Sequence, residues 1–462
     1  MKRTAMLALG VVAVALLLAG GTLVRSLRPP VIESGDLVID GARVAVDGTA
    51  PADARRIDCT GCLIVPGNVC AHTHLYSALA RGMPYHLAPP RTFVEILRRV
   101  WWRLDRALDP ATIRASALAG GMEALLAGTT TLIDHHASPR AVDGALDIVA
   151  DALAELGIRS VLCYETSDRD GPATARDGLA ENARFLAAIA SGGYPLARGM
   201  VGAHASFTLS EDTLAACAGL ARERAVGLHI HLAEDAADER DALERFGVRV
   251  AARLGAAGAI DRRSLLAHAV HLDPGEIEAV AAAGATVVHN ARSNMNNGVG
   301  RAPLAALGER VALGTDGIGA DMFEEGRAAY FRRRDEDIET TMSWPVERLA
   351  EGARVAGEAF GEPLLGRLDP GAPADAVVLR YPAVTPVDPT TLAAHWLFGI
   401  GAGSVRDVIV GGEVVVREGR PTRVDPGAVV AGARAGAARL WRALDDIDVH
   451  PFERLEVPAW RT

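Results

Sequence analysis

Residues 65 to 74 form an apolar run that ends in two histidines two positions apart, His72 and His74. On a strand, residues i and i+2 project to the same face, so both imidazoles would aim at one point. Two such nitrogens are half of a transition-metal site, which needs further nitrogen or oxygen ligands and an open position. The chain holds candidates. Leu228-His229-Ile230-His231-Leu232-Ala233-Glu234 reads as a strand with His229 and His231 on one face and a carboxylate three residues beyond. His231, nearer the strand's end, is the expected ligand, with His229 in a deeper layer. Leu266-Ala267-His268 offers another imidazole, and Leu313-Gly314-Thr315-Asp316-Gly317 delivers a carboxylate where a further apolar run ends. Taken singly these are ordinary, since an Asp before Gly is commonly a turn and a lone His commonly packing. Their shared place at strand ends is what points to metal-assisted hydrolysis.

Those ends meet only if the strands close on themselves. From residue 60 onward, short Val, Ile and Leu runs alternate with Ala-rich helical stretches. Strands are expected over 63–74, 129–136, 159–165, 200–206, 226–234, 264–272, 285–290 and 310–316. Helices are expected over 109–127, 141–156, 211–224, 237–254 and 274–283. Eight strands alternating with helices indicate an α/β chain built on a (β/α)8 TIM-like barrel, with chemistry at the C-terminal strand ends. A doubly wound open sheet is the alternative, but no Gly-rich phosphate loop follows the first strand. Residues 16–24 read as a strand and 35–48 as a hairpin, and 371–379 and 405–416 resemble them. A smaller β-sandwich domain built from both chain ends is therefore expected. The expected organisation is an apolar extension over 1–15, sandwich halves over 16–64 and 366–425, the barrel over 65–365, and a C-terminal helix and tail over 426–462.

Composition sets further bounds. A net charge of −10 and the lack of a basic stripe exclude a nucleic-acid partner. The five cysteines are odd in number and mostly scattered, which suits reduced thiols. Cys59-Thr60-Gly61-Cys62 has no second Cys or His pair and leads into a strand, so it reads as a turn. Lys2 is the only lysine, which removes lysine from any mechanism beyond the N-terminus. Lys2-Arg3 and the uncharged run over 4–24 have the outline of a signal peptide or membrane anchor, with a poor cleavage region at Leu17 and Ala19. Because residues 16–24 are also wanted as a strand, a cytoplasmic protein with a nonessential extension is favoured. Anchoring or export through residues 4–24 is the alternative.

In order, Pro66-Gly67 followed by His72 and His74, then His231 and Glu234, Ala267-His268-Ala269-Val270, His289-Asn290-Ala291-Arg292-Ser293-Asn294 and Gly314-Thr315-Asp316-Gly317 resemble the amidohydrolase superfamily. The likeness is to its aminohydrolase and chlorohydrolase branch, which includes cytosine, guanine and adenosylhomocysteine deaminases and triazine hydrolases. Residues 70–83, His135-His136-Ala137-Ser138-Pro139 and 164–171 look like its SsnA-type aminohydrolases. The resemblance implies one divalent metal ion, zinc or else iron, held by His72, His74, His231 and Asp316. It implies Glu234 and His268 as the catalytic pair, with Asp316 taking the proton of the attacking water. The reaction implied is attack of metal-bound hydroxide on a carbon of a cyclic amidine or amino-heterocycle, a C–N bond other than a peptide bond, with ammonia leaving.

The missing lysine bears on this. Binuclear members of the superfamily bridge two metals with a carboxylated lysine on the fourth strand, and residues 199–206 contain none. A single-metal site is expected unless Glu165 recruits a second ion, against its reading as a pocket carboxylate. His204 matches a substrate-contacting position. His136 or its neighbour His135 could face the pocket, and Asp105 could add a polar contact. Tyr76, Tyr85, Trp101 and Trp102 could stack on a planar substrate, or serve as core or a dimer contact. Ala291 stands where the branch usually has proline, which blurs substrate inference and leaves the ligands untouched. An amide- or halide-hydrolysing enzyme with the same site is the second reading, and an inactive homologue acting as an assembly partner is the third. The expected partner is a small-molecule substrate. A homo-oligomer and membrane association through the N-terminus stay open.

Overall fold

The computed structural model describes residues 15–452. The expected extension and the start of the candidate anchor, residues 1–14, lie outside the described residues. No helix among the described residues is long and apolar enough to cross a membrane. The second half of the candidate anchor is a strand, Leu16–Leu27.

Eight parallel strands carry the site. They are β1 (Asn68–Thr73), β2 (Thr129–His136), β3 (Arg159–Tyr164), β4 (Ala197–Gly199 and Val201–Ala205), β5 (Leu228–Leu232), β6 (Leu265–His268), β7 (Thr286–His289) and β8 (Val311–Leu313). Nearly every residue in them is buried, as parallel strands walled on both faces must be. The first segment of β4 pairs with β3 and the second with β5. The ring closes between β8 and β1. The amides of Thr315 and Asp316 donate to the His72 carbonyl at 2.8 and 3.1 Å, and the His74 amide donates to the Asp316 carbonyl at 3.2 Å. The (β/α)8 barrel expected from the alternation is thus present, and its closure seam runs through three of the residues picked out for chemistry.

Helix starts follow their capping residues. Asp109 and Asp273 cap Pro110–Leu126 and Pro274–Ala283, each with a reciprocal capping box and proline in the first turn. The long helix expected over 237–254 is two helices, Ala236–Phe246 and Val250–Ala256. Gly247, at φ +70°, ends the first in the left-handed conformation that glycine adopts without a Cβ penalty.

The chain ends form one continuous sheet of nine strands rather than two separately bonded layers. Leu16–Leu27 lies between Pro30–Asp40 and Cys62–Pro66, and Ala376–Arg380 joins the far side of Cys62–Pro66 to the C-terminal strands. The sheet surrounds an apolar core of its own, with Leu18, Leu23, Ile57, Ile64, Val378 and Ile409. The single strand expected over 63–74 therefore divides: Cys62–Pro66 belongs to this sheet and β1 to the barrel. Gly67 is the joint, where a Cβ would fall 2.2 Å from the Thr130 side chain.

After β1 the chain crosses the barrel mouth as a helical roof, Phe93–Ile96, Leu97–Trp101 and Trp102–Ala107. The middle turn is widened to i→i+5 bonding, a departure common near functional sites. The helix Pro426–Asp445 and the residues after it hold this roof from outside. Arg103 donates to the carbonyls of Leu444 and Ile447 at 2.8 and 2.7 Å, and Arg98 to that of His450 at 2.9 Å.

Candidate metal centre and pocket

Three histidines present an unprotonated Nε2 to one point because each Nδ1–H is spent elsewhere. His74 Nδ1 donates to the His135 carbonyl at 2.6 Å, and His231 Nδ1 to the His204 carbonyl at 2.7 Å. His72 Nδ1 lies 2.8 Å from His229 Nε2, and His229 Nδ1 lies 3.7 Å from Cys163 Sγ. A carbonyl can only accept, which fixes the tautomers of His74 and His231. For His72, the thiol donates to the Asp134 carbonyl at 3.7 Å and accepts from His229, so His229 accepts from His72.

For the neutral imidazoles the result is a cluster of lone pairs converging on one point. His74 Nε2 and His231 Nε2 face each other at 3.2 Å, and His72 Nε2 is buried with no hydrogen-bond partner. Asp316 Oδ1 stands 3.1 Å from His74 Nε2 and 3.8 Å from His72 Nε2. Nitrogens held at 2.0–2.1 Å around a tetrahedral zinc lie roughly 3.3 Å apart, so the spacing fits a bound cation. The ligand atoms of His72, His231, His268 and Asp316 lie within 4.8 Å of one another, as do those of His74, His135, Glu165 and His231. The set expected from the sequence draws on both groups, with His231 common to them.

Electrostatics match this donor set. Burial pushes His72 down to about 3 and His231 well below the usual imidazole range, which leaves both in the neutral, ligating form. His74 runs the other way. Burial lowers it, yet Asp316 lifts it to about 9, the mark of a position that draws positive charge. Burial alone would raise Asp316, but the facing imidazoles of His72 and His74 outweigh it and hold the carboxyl well below its usual range. Ser293 Oγ donates to Asp316 Oδ2 and fixes its plane. The backbone pays attention to the same spot: Ala233, His268, Ala269 and Asp316 have φ between +44° and +74°, four non-glycine residues in a region that costs free energy.

Two further groups flank the centre. Glu234 accepts from Asn297 Nδ2 at 3.3 Å and lies 3.5 Å from His268 Nε2. Burial, then the Asp316 charge, raises Glu234 well above the carboxylate range, which favours its protonated form. His268 is held neutral by burial, and its Nδ1 lies 2.7 Å from Asn294 Oδ1. Its Nε2 is buried and unpartnered.

A pocket opens beside these groups, lined by His74, His231, Glu234 and Asp316 together with Glu165, Arg169, Trp102, His204 and Phe207. Tyr76 and Trp101 also line it. Tyr85 does not; its hydroxyl donates to the Ala88 carbonyl. Of the expected substrate contacts, Glu165 and His204 reach the pocket and two do not. His136 turns away to Ser138 Oγ at 3.0 Å, because adjacent residues of a strand face opposite sides and His135 takes the inner one. His135 Nδ1 then meets Glu165 Oε2 at 3.2 Å. Asp105 is fully buried behind Arg169, which it binds at 2.5 Å, and acts on the pocket only through that residue. Arg169, Ser293, Asn294 and Asn297 received no role from sequence reasoning. The stretches 164–171 and 289–294 were the available pointers, but neither says which side chain faces inward.

The amidohydrolase family model matches residues 63–415. The 5-methylthioadenosine/S-adenosylhomocysteine deaminase of Desulforudis audaxviator is 33% identical over 88% of this chain and 94% of its own. A triazine hydrolase from Arthrobacter aurescens superposes with a TM-score of 0.78 at 26% identity, over 92% of this chain and 99% of its own. An adenosine deaminase from Xanthomonas campestris with bound zinc shares the fold with a TM-score of 0.80 at 23% identity, over 92% and 98% of the two chains. The chain belongs to the amidohydrolase family and is a hydrolase of carbon–nitrogen bonds other than peptide bonds.

Proposed function

We propose that the chain is a deaminase of a cyclic amidine or amino-heterocycle, working with one zinc ion held by His72, His74, His231 and Asp316. The observation that carries this is the meeting of three oriented imidazole Nε2 atoms with the Asp316 carboxylate, beside the buried Glu234. The deaminase names borne by the curated relatives support the reaction. Three imidazoles and one carboxylate suit Zn²⁺ first and Fe²⁺ second. When bound, the cation supplies the Lewis acidity that makes a water nucleophilic near neutral pH.

The protein groups then divide the proton work. Asp316, kept ionised, accepts the proton of the attacking water. Glu234 gives its proton to the ring nitrogen next to the attacked carbon, which removes the charge that would otherwise build there. His268, neutral and unpartnered at Nε2, lies within reach of the attacking oxygen and steadies it. Collapse of the tetrahedral carbon expels ammonia: the proton held by Asp316 goes to the leaving nitrogen, and the hydroxyl proton released as the C=O forms returns to Glu234. Glu165, already engaged by His135 at 3.2 Å and standing 3.5 Å from Arg169, serves as a pocket carboxylate rather than as a ligand of a second ion.

The test is elemental analysis of purified protein together with ammonia release from purines, pyrimidines, pterins and their nucleosides. About one equivalent of metal and turnover of at least one such compound are expected. Metal-replete protein that releases ammonia from none of them would remove the deaminase reading.

A further inference from the structure

All five cysteines are free thiols with buried side chains. Cys70, Cys163 and Cys217 lie on separate elements, whereas Cys59 and Cys62 share one turn of the chain-end sheet, between Arg55–Asp58 and Cys62–Pro66. The Cys62 amide donates to the Cys59 carbonyl at 2.9 Å, and Gly61 takes the left-handed position at φ +72°. An i→i+3 turn keeps its outer Cα atoms within about 7 Å, and a disulfide spans about 4.4–6.8 Å between them. Thr60 and Gly61 are exposed while both thiols are buried, so the sulfurs lie just beneath the surface. Cys62 is 5% exposed and Cys59 not at all.

One side chain meets both sulfurs. Arg406, on the strand Val405–Val410, reaches across Ala376–Arg380. It donates from Nη1 to Cys62 Sγ at 3.5 Å and from Nη2 to Cys59 Sγ at 3.6 Å. The same guanidinium is held in place by Asp407 at 2.7 Å and by the Asp58 carbonyl at 2.9 Å. A neighbouring cation favours the thiolate, which is the form that attacks. Burial opposes this at Cys59 and pushes its thiol up to about 11, against the pull of Arg406. Cys62 is therefore the sulfur a small molecule reaches first, and Cys59 the one that follows. A soft metal ion is the other occupant two thiols can hold, but the guanidinium would repel a cation placed between them.

We propose that Cys59 and Cys62 form a reversible redox site that closes to a disulfide by exchange with a low-molecular-weight disulfide such as oxidised glutathione. Cys62, its proton lost to solvent, attacks the external S–S bond and expels one glutathione thiolate. Cys59 then gives up its proton to solvent, attacks Cys62 Sγ in the mixed disulfide and expels the second. The protein loses two protons and two electrons, and the external disulfide takes up both to become two thiols. Closure staples a turn whose Cys59 amide donates to the Ala19 carbonyl at 2.8 Å, beside the strand Leu16–Leu27. No residue of the metal centre takes part, so the site stands apart from the reaction proposed above.

The experiment incubates the folded full-length chain with graded mixtures of reduced and oxidised glutathione. Free thiols are then trapped by acid quenching and alkylation in denaturant, and mapped by mass spectrometry. A loss of about 2 Da is expected from the intact protein. The link should map to Cys59 and Cys62, with Cys70, Cys163 and Cys217 still alkylated and reduced glutathione reversing the change. Cys59→Ser should stop with one glutathione on Cys62, and Cys62→Ser should take up none, since Cys59 has no exposure. Uptake by Cys62→Ser in place of Cys59→Ser would overturn the order of attack. Five alkylated thiols in the parent at every mixture would overturn the site itself. A mixed disulfide that never closes, or a link through any other cysteine, would do the same.

Discussion

His229 makes no contact with the proposed cation, yet it sets the tautomer of a ligand, and replacing it tests the whole arrangement. In His229→Leu the volume is nearly kept, while His72 Nδ1 loses the acceptor 2.8 Å away. His229 is 0% exposed, so water does not take its place. Leaving a buried donor unpaired costs about 1–3 kcal/mol. Imidazole can escape that cost by moving its proton to Nε2, which removes the lone pair aimed at the cation. Orienting partners of metal ligands are worth about 10- to 100-fold in affinity, which corresponds to ~1.4–2.8 kcal/mol. His229→Leu should therefore weaken zinc binding by that factor, read by competition with a chromophoric chelator at fixed pH. His229→Gln, whose amide oxygen can stand near the position of the lost Nε2, should recover part of it. Thermal unfolding of the metal-free proteins separates the metal effect from simple destabilisation. A folded His229→Leu protein that binds zinc within about threefold of the parent would refute the tautomer chain from Cys163 through His229 to His72.

Two other outcomes follow from the same geometry. Glu234→Gln keeps the shape and the Asn297 contact but cannot shuttle a proton; it should retain full metal content and lose about 10²- to 10⁴-fold in kcat. Undiminished turnover would remove Glu234 from the mechanism. Gly202→Ala should destabilise the barrel by about 1–3 kcal/mol, since the new Cβ would fall 2.3 Å from the Tyr164 carbonyl oxygen, a backbone atom that cannot rotate away. Denaturant unfolding reads this directly, and an unchanged midpoint would show that β3 and β4 can separate without cost.

The residues most legible in the sequence were those bound by rules of spacing. His72 and His74 had to share a face, Asp316 had to follow an apolar run, and the barrel's alternation had to bring such ends to one rim. The same rule was silent where it gave two equal candidates. His229 and His231 also share a face, and only position along the strand, with His231 nearer its end, separates the residue that faces the proposed cation from the one beside His72 Nδ1. His135 and His136 were ambiguous for the opposite reason, as neighbours on a strand of which one alone can point inward. Gly67 and Gly247 were visible as residues, but that they divide a strand and a helix depends on Thr130 and on the left-handed turn after Phe246.

Arg169 shows why the rest was not readable. Its surroundings come from three places in the chain: Trp102 and Asp105 on the roof, Glu165 and Asp170 in the loop after β3, and His450 and Phe452 behind Trp102. No local periodicity links residues 102, 169 and 450. The metal centre is local in this sense, because each ligand is placed by its own strand, and that is why family membership carries it from chain to chain. The surroundings of Arg169 are made where the roof, the β3 loop and the C-terminal segment meet. Substitution in any one of them can change the pocket around Arg169 without disturbing a single ligand. The proposed ligands are thus each placed by one strand, whereas Arg169 depends on three segments at once, and only the first kind of placement can be read from local spacing.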